Sequence, residues 1–582
     1  MSSQADWKNI NLQMIAKSLQ ELTYEQVISP VATTTRDESV VGPYELTLAN
    51  QAVYKFNAWR GLWTDLKVDP ASITRNGVPA ESAGQFFIDS QKETGMDDII
   101  LANFLEEMHN TLYADLRVLE LNRRVSSDDM TKFSGEKVQT FLKGHPKILL
   151  NKGRIGWSAA DQDLYGPENA KPVQFYWLAV RKTQTLEGLD ARLSWDDVLN
   201  ECLSDKTAFE KELAAKNIAK TEYHFVPVHP WQWDRYIKIQ YGTDLACGHI
   251  HLLGAFGDEY LPQISLRTFS NITRPGKLDI KLPITILNTS AIRGIPGKYM
   301  QQGPSLSTAL TELCQKDDIL QGVTVLEEKA GLSVSHGLYS QIGQAPYRYN
   351  ELLGVLWRQS SDFHLAEGET AIIAGSLFHR DTMGKSLLGA YAKASGLDIG
   401  QWLSQYFEKV FIPLYHLQAR YGIGLVAHGQ NVVIRLKNST PVGVFLKDFQ
   451  GDLRLSDDSG SLSGFDLTRL PRHYLIHDLL TGHLVTVLRF ISETLQECDT
   501  YPEIEFYAVL GRTLESYLAK NPEIRALNYF GKIDLLQNTF HRVLVNKVRF
   551  KIGYADSAER PLPILGEDLK NPVALALKKG RV

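Results

Sequence analysis

Residues 421–453, YGIGLVAHGQNVVIRLKNSTPVGVFLKDFQGDL, constrain the chain more than any other stretch. Two β-rich runs, 431–436 and 442–449, flank the polar linker 437–441, which is the pattern of a hairpin. Antiparallel pairing carries His428, Gln430 and Asn431, just before the first run, to the same end of the ribbon as Lys447 and Asp448, which close the second. A cluster of amide and carboxylate oxygens suits Mg²⁺, which takes oxygen ligands and usually keeps nucleotide phosphates as partners. Taken alone, the stretch fits a metal-nucleotide site and a hairpin with polar ends equally well.

A second stretch supplies the complementary charge. Residues 265–300 hold Arg267, Arg274, Lys277, Lys281, Arg293 and Lys298 against one acid, Asp279, a local balance of +5 in a chain whose net charge is −5. Ser265, Thr268, Ser270, Asn271, Asn288, Thr289 and Ser290 interleave short hydrogen-bonding groups with those cations, which is the donor set a polyphosphate needs. Alternation over 263–269 would put Ser265, Arg267 and Phe269 on one strand face. The cations sit inside moderately apolar runs, where an uncompensated charge is costly, and this favours anion binding over a solvated basic surface.

Other motifs carry less. GHPKILLNKGRIGWS, from Gly144, combines His145, Lys152 and Arg154 with glycines and by itself reads as a surface loop. VPVHPWQWDR, from Val226, reads as a Pro-Trp brace in which His229 is a satisfied structural histidine. Of His473, His477 and His483 only the first pair shares a helical face, and no carboxylate pattern completes a metal set. The chain has no GxSxG elbow, no GxxxxGK[ST] loop and no HExxH helix, which argues against the commonest hydrolase, P-loop and zinc-protease readings.

A length of 582 residues allows about three or four packed units. Net charge of −5 and a pI near 6.3 argue against a nucleic-acid or anionic-membrane partner, which would need positive charge over a broad face. Cys202, Cys247, Cys314 and Cys498 lie far apart and read as buried thiols of a cytoplasmic protein. No secretory pattern opens the chain, and no apolar run reaches about 18 residues.

Periodicity outlines an α+β chain. Helical spacing runs from Trp7 to Leu22, strands are expected at 44–48 and 53–56, and Asp97 and Asp98 suit the start of a long helix through Arg117. Strand-like runs follow at 173–179, 224–228, 249–256, 263–269 and 281–288. Helices are expected at 349–357, 399–421 and 473–497.

The segments GHPKILLNKGRIGWS, VPVHPWQW, SLRTFSN, KLPITILNTSAIRGIP and AHGQN with LKDFQGDLRL follow one another over residues 144–454. In that order they resemble the IucA/IucC family of siderophore synthetases, which work without a nonribosomal assembly line. The resemblance implies an ATP-dependent, AMP-forming ligase that activates a carboxylic acid as an acyl-adenylate and passes it to an amine or hydroxylamine. It implies a cupped hand, with a thumb at 1–140, sheet-containing fingers at 141–340 and a mainly helical palm at 341–582. By the same resemblance ATP lies between fingers and palm. Ser265, Arg267, Asn271, Lys281, Thr289 and Arg293 would hold it with His145, Lys152 and Arg154 from one side, and His428, Asn431, Lys447 and Asp448 from the other. Gln430 and Asp448 would lie near Mg²⁺, and His428, Arg293 and Lys281 would act in catalysis.

Many relatives carry a second His-Pro three residues after the first, where this chain has Ile148 and Leu149. That departure implies the branch that accepts already acylated or amidated carboxylates. VDPASITR and FLEEMHNTL in the amino-terminal third resemble synthetases of macrocyclic dihydroxamates. The expected reaction is therefore condensation of N-hydroxy-N-succinyl-diamine units. Its alternative is the last amide bond of aerobactin, joining a citryl monoamide to N6-acetyl-N6-hydroxylysine. Relatives are often homodimers. Outside the family, a kinase-like phosphotransferase would release ADP, and a nucleotide sensor would bind ATP without turnover.

Overall fold

The first helix, Gln4–Tyr24, forms where apolar spacing places it. Ser3 caps it in a reciprocal box with Asp6, and Ile10, Met14, Ile15, Leu19 and Leu22 make its buried face. The computed structural model describes residues 3–35, 37–289, 291–449, 451–526, 534–553 and 564–579. The strands Gly42–Thr47 and Val53–Arg60 pair antiparallel and share one apolar cluster with that helix. Asp97 caps the long helix Asp98–Asn122 by accepting the Ile100 N–H at 2.7 Å.

The middle of the chain builds two sheets. Tyr176–Arg181 pairs between Ile250–Ala255 and Tyr223–Val228. A larger antiparallel sheet runs Tyr260–Pro262, Thr268–Asn271, Asp279–Lys281, Gly354–Arg358, Glu328–Val334, Thr185–Leu189. Three expectations are corrected here. Residues 263–267 are a turn, with Leu266 at φ 71° and the Ser265 hydroxyl accepting the Thr268 N–H at 3.1 Å, so Ser265 and Arg267 share no strand face with Phe269. The run 281–288 splits at Pro283, which lacks a ladder donor, into Asp279–Lys281 and Ile284–Asn288. Of the expected helix 349–357 only Tyr349 and Asn350 are helical, at the end of the 3-10 turn Tyr347–Asn350, because Gly354–Arg358 is a strand buried along its whole length, where no period shows.

The ribbon is present, with a tighter turn than expected. Val432–Lys437 and Thr440–Leu446 pair antiparallel around Asn438 and Ser439, whose φ of 49° and 66° match a type I′ turn. Val323–Val325 adds in parallel to one edge and Glu369–Ile373 antiparallel to the other. Two strands therefore cross residue 340 in opposite senses: Gly354–Arg358 belongs to the sheet of the middle region, and Val323–Val325 to the sheet of the ribbon.

The chain is α+β. Its helix Arg472–Asp499 is long and apolar enough to cross a membrane, yet 89% of its apolar window is buried in the fold, so it is a core helix. Cys202 and Cys314 are buried as expected, whereas Cys247 is exposed and Cys498 half-buried.

A buried charge cluster joins the first helix to that core helix. Glu21, Glu25, Asp65, Glu493 and Glu503 face Lys67, Lys147, Arg489 and Arg542. Lys67 lies 2.6 Å from both Asp65 and Glu493, and Lys147 lies 2.8 Å from Glu25. Acids outnumber bases, and burial raises the carboxyls of both Glu21 and Glu503. For Glu503, burial with Asp65 nearby pushes the carboxyl from 4.5 up to about 7. A raised folded pKa gives stability that is complete below 4.5 and is lost as pH rises through about 7. Glu503→Gln should therefore flatten the fall in melting temperature between pH 5 and pH 8. Equal pH slopes for variant and wild type would refute the assignment.

Candidate functional site

The ribbon end and the basic stretch meet at a cleft of about 330 Å³. One wall comes from the sheet of the middle region and its loops, with Ser265, Arg267, Lys281, Thr289 and Arg293. The other comes from the ribbon end, with His428, Gln430, Asn431, Asp448 and Asp452. His145, Lys152 and Arg154 close a third side, so most of the expected residues converge. Four lining residues, Arg154, Leu266, Thr289 and Asp448, hold positive φ of 42°, 71°, 49° and 61° without being glycine. Backbone strain of this kind persists where surroundings fix it, and it clusters at working sites.

His428 is set by close backbone approach. A Cβ on Gly482 would lie 2.8 Å from Ala427 N, and one on Gly429 would lie 2.8 Å from Gly375 Cα, while the Gly375 N–H donates to Gly429 O at 2.8 Å. His483 is no metal ligand here. Its Nδ1 bonds Ala427 O at 2.9 Å and its Nε2 the Tyr406 hydroxyl at 2.7 Å, so it braces the residue before His428. His477 stacks instead on His541, and among the described residues no three His, Cys, Asp or Glu converge on one point.

Both cleft histidines present a donor. His428 Nδ1 accepts the Gln430 N–H at 3.3 Å, and His145 Nδ1 accepts the Ile148 N–H at 3.2 Å, which leaves each Nε2 carrying the proton. Burial lowers both pKa values from 6.5, for His145 well below it with help from His428 and Lys17, so both rings are neutral at pH 7.

Asp448 is locked between cations. Lys281 Nζ donates to it at 2.6 Å and Arg358 lies 3.1 Å away. Burial by itself would raise its pKa, but Lys281, Arg358 and Lys447 together hold the carboxyl well below the usual range. Arg358 also bonds Asp279 at 3.3 Å, and Asp279 accepts from Gln263 at 2.9 Å. Burial pushes the Lys447 ammonium down to about 8 and turns it toward Gln263 at 3.4 Å.

Several expectations change in this light. Asn271 lies outside the cleft, bonded to Asp258 at 2.7 Å, and Lys447 lies behind its lining. Lys152 and Arg154 are not a surface loop. Both are buried, Lys152 2.7 Å from Asp115 and Arg154 forked onto Glu168 at 2.6 and 2.9 Å, so they shape a wall. His229 is fully buried with Nδ1 accepting the Trp231 N–H at 3.1 Å. Its Nε2 has no hydrogen-bond partner among the described residues and lies among aromatic rings, so the expected satisfied histidine is only half satisfied.

Residues not singled out in the sequence also line the cleft. Asp452 accepts from Asn431 at 3.1 Å and forms no ion pair among the described residues. It follows Gly451, at φ 80°, inside the FQGDL segment, where that glycine was the available signal. Gln139 accepts the Ile264 N–H at 3.0 Å, and neither it nor Glu168 sits in a readable motif.

A model of the IucA / IucC family matches residues 136–379, and one described as ferric iron reductase FhuF-like transporter matches residues 400–557. The chain is similar to the aerobactin synthase of Escherichia coli, 37% identical over 585 residues and covering 99% of each. It is similar to the putrebactin synthase of Shewanella sp. (strain MR-4), 29% identical over 593 residues, 98% of this chain and 91% of that one. Among solved structures, aerobactin synthetase IucC of Klebsiella pneumoniae matches with a TM-score of 0.87 at 35% identity, over 98% of this chain and 99% of that one.

Gly482→Ala should lower stability by about 1–3 kcal/mol, because the added methyl meets backbone and not a movable side chain. Thermal or urea unfolding checks this, and an unchanged midpoint would contradict the close packing behind His428.

Proposed function

The chain belongs to the IucA/IucC family of siderophore biosynthesis, and from that premise we propose an ATP-dependent, AMP-forming ligase that closes the last amide bond of an aerobactin-type siderophore. The observation that carries the reading is a cleft in which Arg267, Lys281 and Arg293 face His428, Asn431 and Asp452 across a space suited to a polyphosphate. The full-length likeness to aerobactin synthases favours a citryl monoamide and N6-acetyl-N6-hydroxylysine over the macrocyclisation expected from the amino-terminal motifs. The thumb, fingers and palm of that reading each have an apolar cluster, but the clusters cross the expected borders at 140 and 340, with Leu149 joining the first, Trp357 the second and Leu310 the third.

In the first step a substrate carboxylate attacks the α-phosphorus of ATP, the bond to the bridging oxygen breaks, and pyrophosphate leaves. Two anions approach each other, so Arg267, Lys281 and Arg293 act by neutralising charge that gathers in the transition state. His428, neutral and with Nε2–H toward the cleft, donates to a phosphate oxygen without adding repulsion or needing deprotonation. In the second step the amine attacks the acyl carbon and AMP leaves. An alkylamine is mostly protonated at neutral pH, so amide formation needs a proton acceptor that hydroxamate formation does not.

Mg²⁺, when bound with the nucleotide, would reduce the charge of the phosphates. Asp452 with the amide oxygens of Asn431 and Gln430 fits its preference for oxygen ligands, whereas Asp448 is already held by Lys281 and Arg358.

With ATP and Mg²⁺, the purified protein should release AMP and pyrophosphate when given a citryl monoamide and N6-acetyl-N6-hydroxylysine, with the amide product seen by mass spectrometry. Turnover only of N-hydroxy-N-succinylputrescine would restore the macrocycle reading, and release of ADP would point to a kinase. Arg293→Ala should reduce carboxylate-dependent pyrophosphate exchange by about 100-fold or more while leaving the fold intact. Exchange at the wild-type rate would remove Arg293 from the site.

A further inference from the structure

Gln13, Lys17, Glu21 and Glu25 stand at four-residue intervals along the first helix to its C-cap, and all four turn toward one loop, residues 143–150. Gln13 accepts from Lys143 at 2.7 Å, while Glu21 and Glu25 lie 3.4 and 2.8 Å from Lys147. Lys17 differs from the other three because it meets peptide carbonyls of the loop and not a lysine side chain. Its Nζ donates to three peptide carbonyls of a single turn, Ile148 O at 2.5 Å, His145 O at 3.2 Å and Leu149 O at 3.5 Å. Across the same turn the Ile148 N–H points to His145 Nδ1 at 3.2 Å, the contact that fixes the tautomer and direction of the cleft histidine.

We propose that Lys17 is a positioning residue, whose ammonium gathers the carbonyls of His145, Ile148 and Leu149 and so holds the turn that aims the His145 Nε2–H into the cleft. The aiming of His145 rests on the ligase reading; the clamp on the turn rests on geometry alone. Where relatives of the family pattern carry a second imidazole, this chain uses the peptide groups of residue 148, one accepting from Lys17 and the other donating to His145. Asn151 supports the same turn by donating to His145 O at 2.9 Å.

The charge on Lys17 is finely balanced. Burial pushes it from 10.5 down to about 7; Asp115 and Glu21 favour the ammonium, and Lys143 and Lys152 oppose it, with His145 beside it. A neutral amine has two N–H groups for three carbonyls, so the clamp is complete below about pH 7 and weakens above it.

Hydrogen exchange of residues 143–152 and pyrophosphate exchange, each at pH 6 and pH 8, test this on wild type, Lys17→Met and Lys17→Arg. At pH 6 the Met variant should exchange the Ile148 and Leu149 amides at least about tenfold faster than wild type, with the first helix still protected. Its kcat/KM for pyrophosphate exchange should fall about tenfold, because a shifted His145 is no longer in register with the substrate. The Arg variant, charged at both pH values, should keep loop protection at pH 8 where wild type loses part of it, and should retain exchange activity. Unaltered loop exchange in the Met variant overturns the clamp, and altered loop exchange with unaltered kinetics overturns the positioning role. Should the Met variant not fold, equal pH responses of wild type and Lys17→Arg refute the proposal. Absence of pyrophosphate exchange in wild type itself would count against the ligase reading, and the loop measurement would still decide the clamp.

Discussion

Asp448 is the point at which the two walls of the cleft are tied. Its carboxylate takes Lys281 at 2.6 Å and Arg358 at 3.1 Å, two cations from adjacent strands of the middle sheet, while its own backbone leaves the ribbon at φ 61°. Burial disfavours every charge in the group, and each is tolerated because the others are present. Removing one partner of such a buried set costs about 3–5 kcal/mol, mostly from the charge left unpaired. The site is therefore built on an ion cluster whose members are partly occupied with one another. Arg267, bonded to Gly294 O, and Arg293 line the same cleft and add to its positive charge.

Neutral histidines follow from the same crowding. Burial disfavours a protonated imidazole at both positions, with nearby cations adding to it at 145 and with Asp452 and Asp448 opposing it at 428, and each ring keeps its proton on the nitrogen that a peptide N–H has not claimed. The cleft thus separates two tasks: fixed guanidinium and ammonium groups supply charge, and neutral imidazoles supply directed hydrogen bonds.

Period and punctuation made much of this legible. The first helix and the strands at 42–60 were readable from their periodicity, the cap at Asp97 from its residue type, and the ribbon from the polar linker between its two β-rich runs. Gly354–Arg358 was unreadable as a strand because both its faces are buried, and the turn at 263–267 hid inside an alternating pattern. At the site, residue type picked out Arg267, Lys281, Arg293, His428 and Asn431, whose chemistry is local to a motif. Asp452, Gln139, Glu168 and Arg358 act through partners 21, 125, 14 and 90 positions away, and no local pattern records such a pairing. Asn271 and Lys447 show the opposite error, since a suitable side chain in the right segment can face away from the cleft.

The exchange of strands across residue 340 bears on where the chain can be divided. Gly354–Arg358 is hydrogen-bonded within the middle sheet and Val323–Val325 within the ribbon sheet, so the chain is laced through both bodies on either side of the expected border. Residue 340 is therefore not a border between the two sheets, since dividing the chain there takes a strand from the ladder of each. The same lacing means that neither half, cut at 340, retains all the strands of its own sheet.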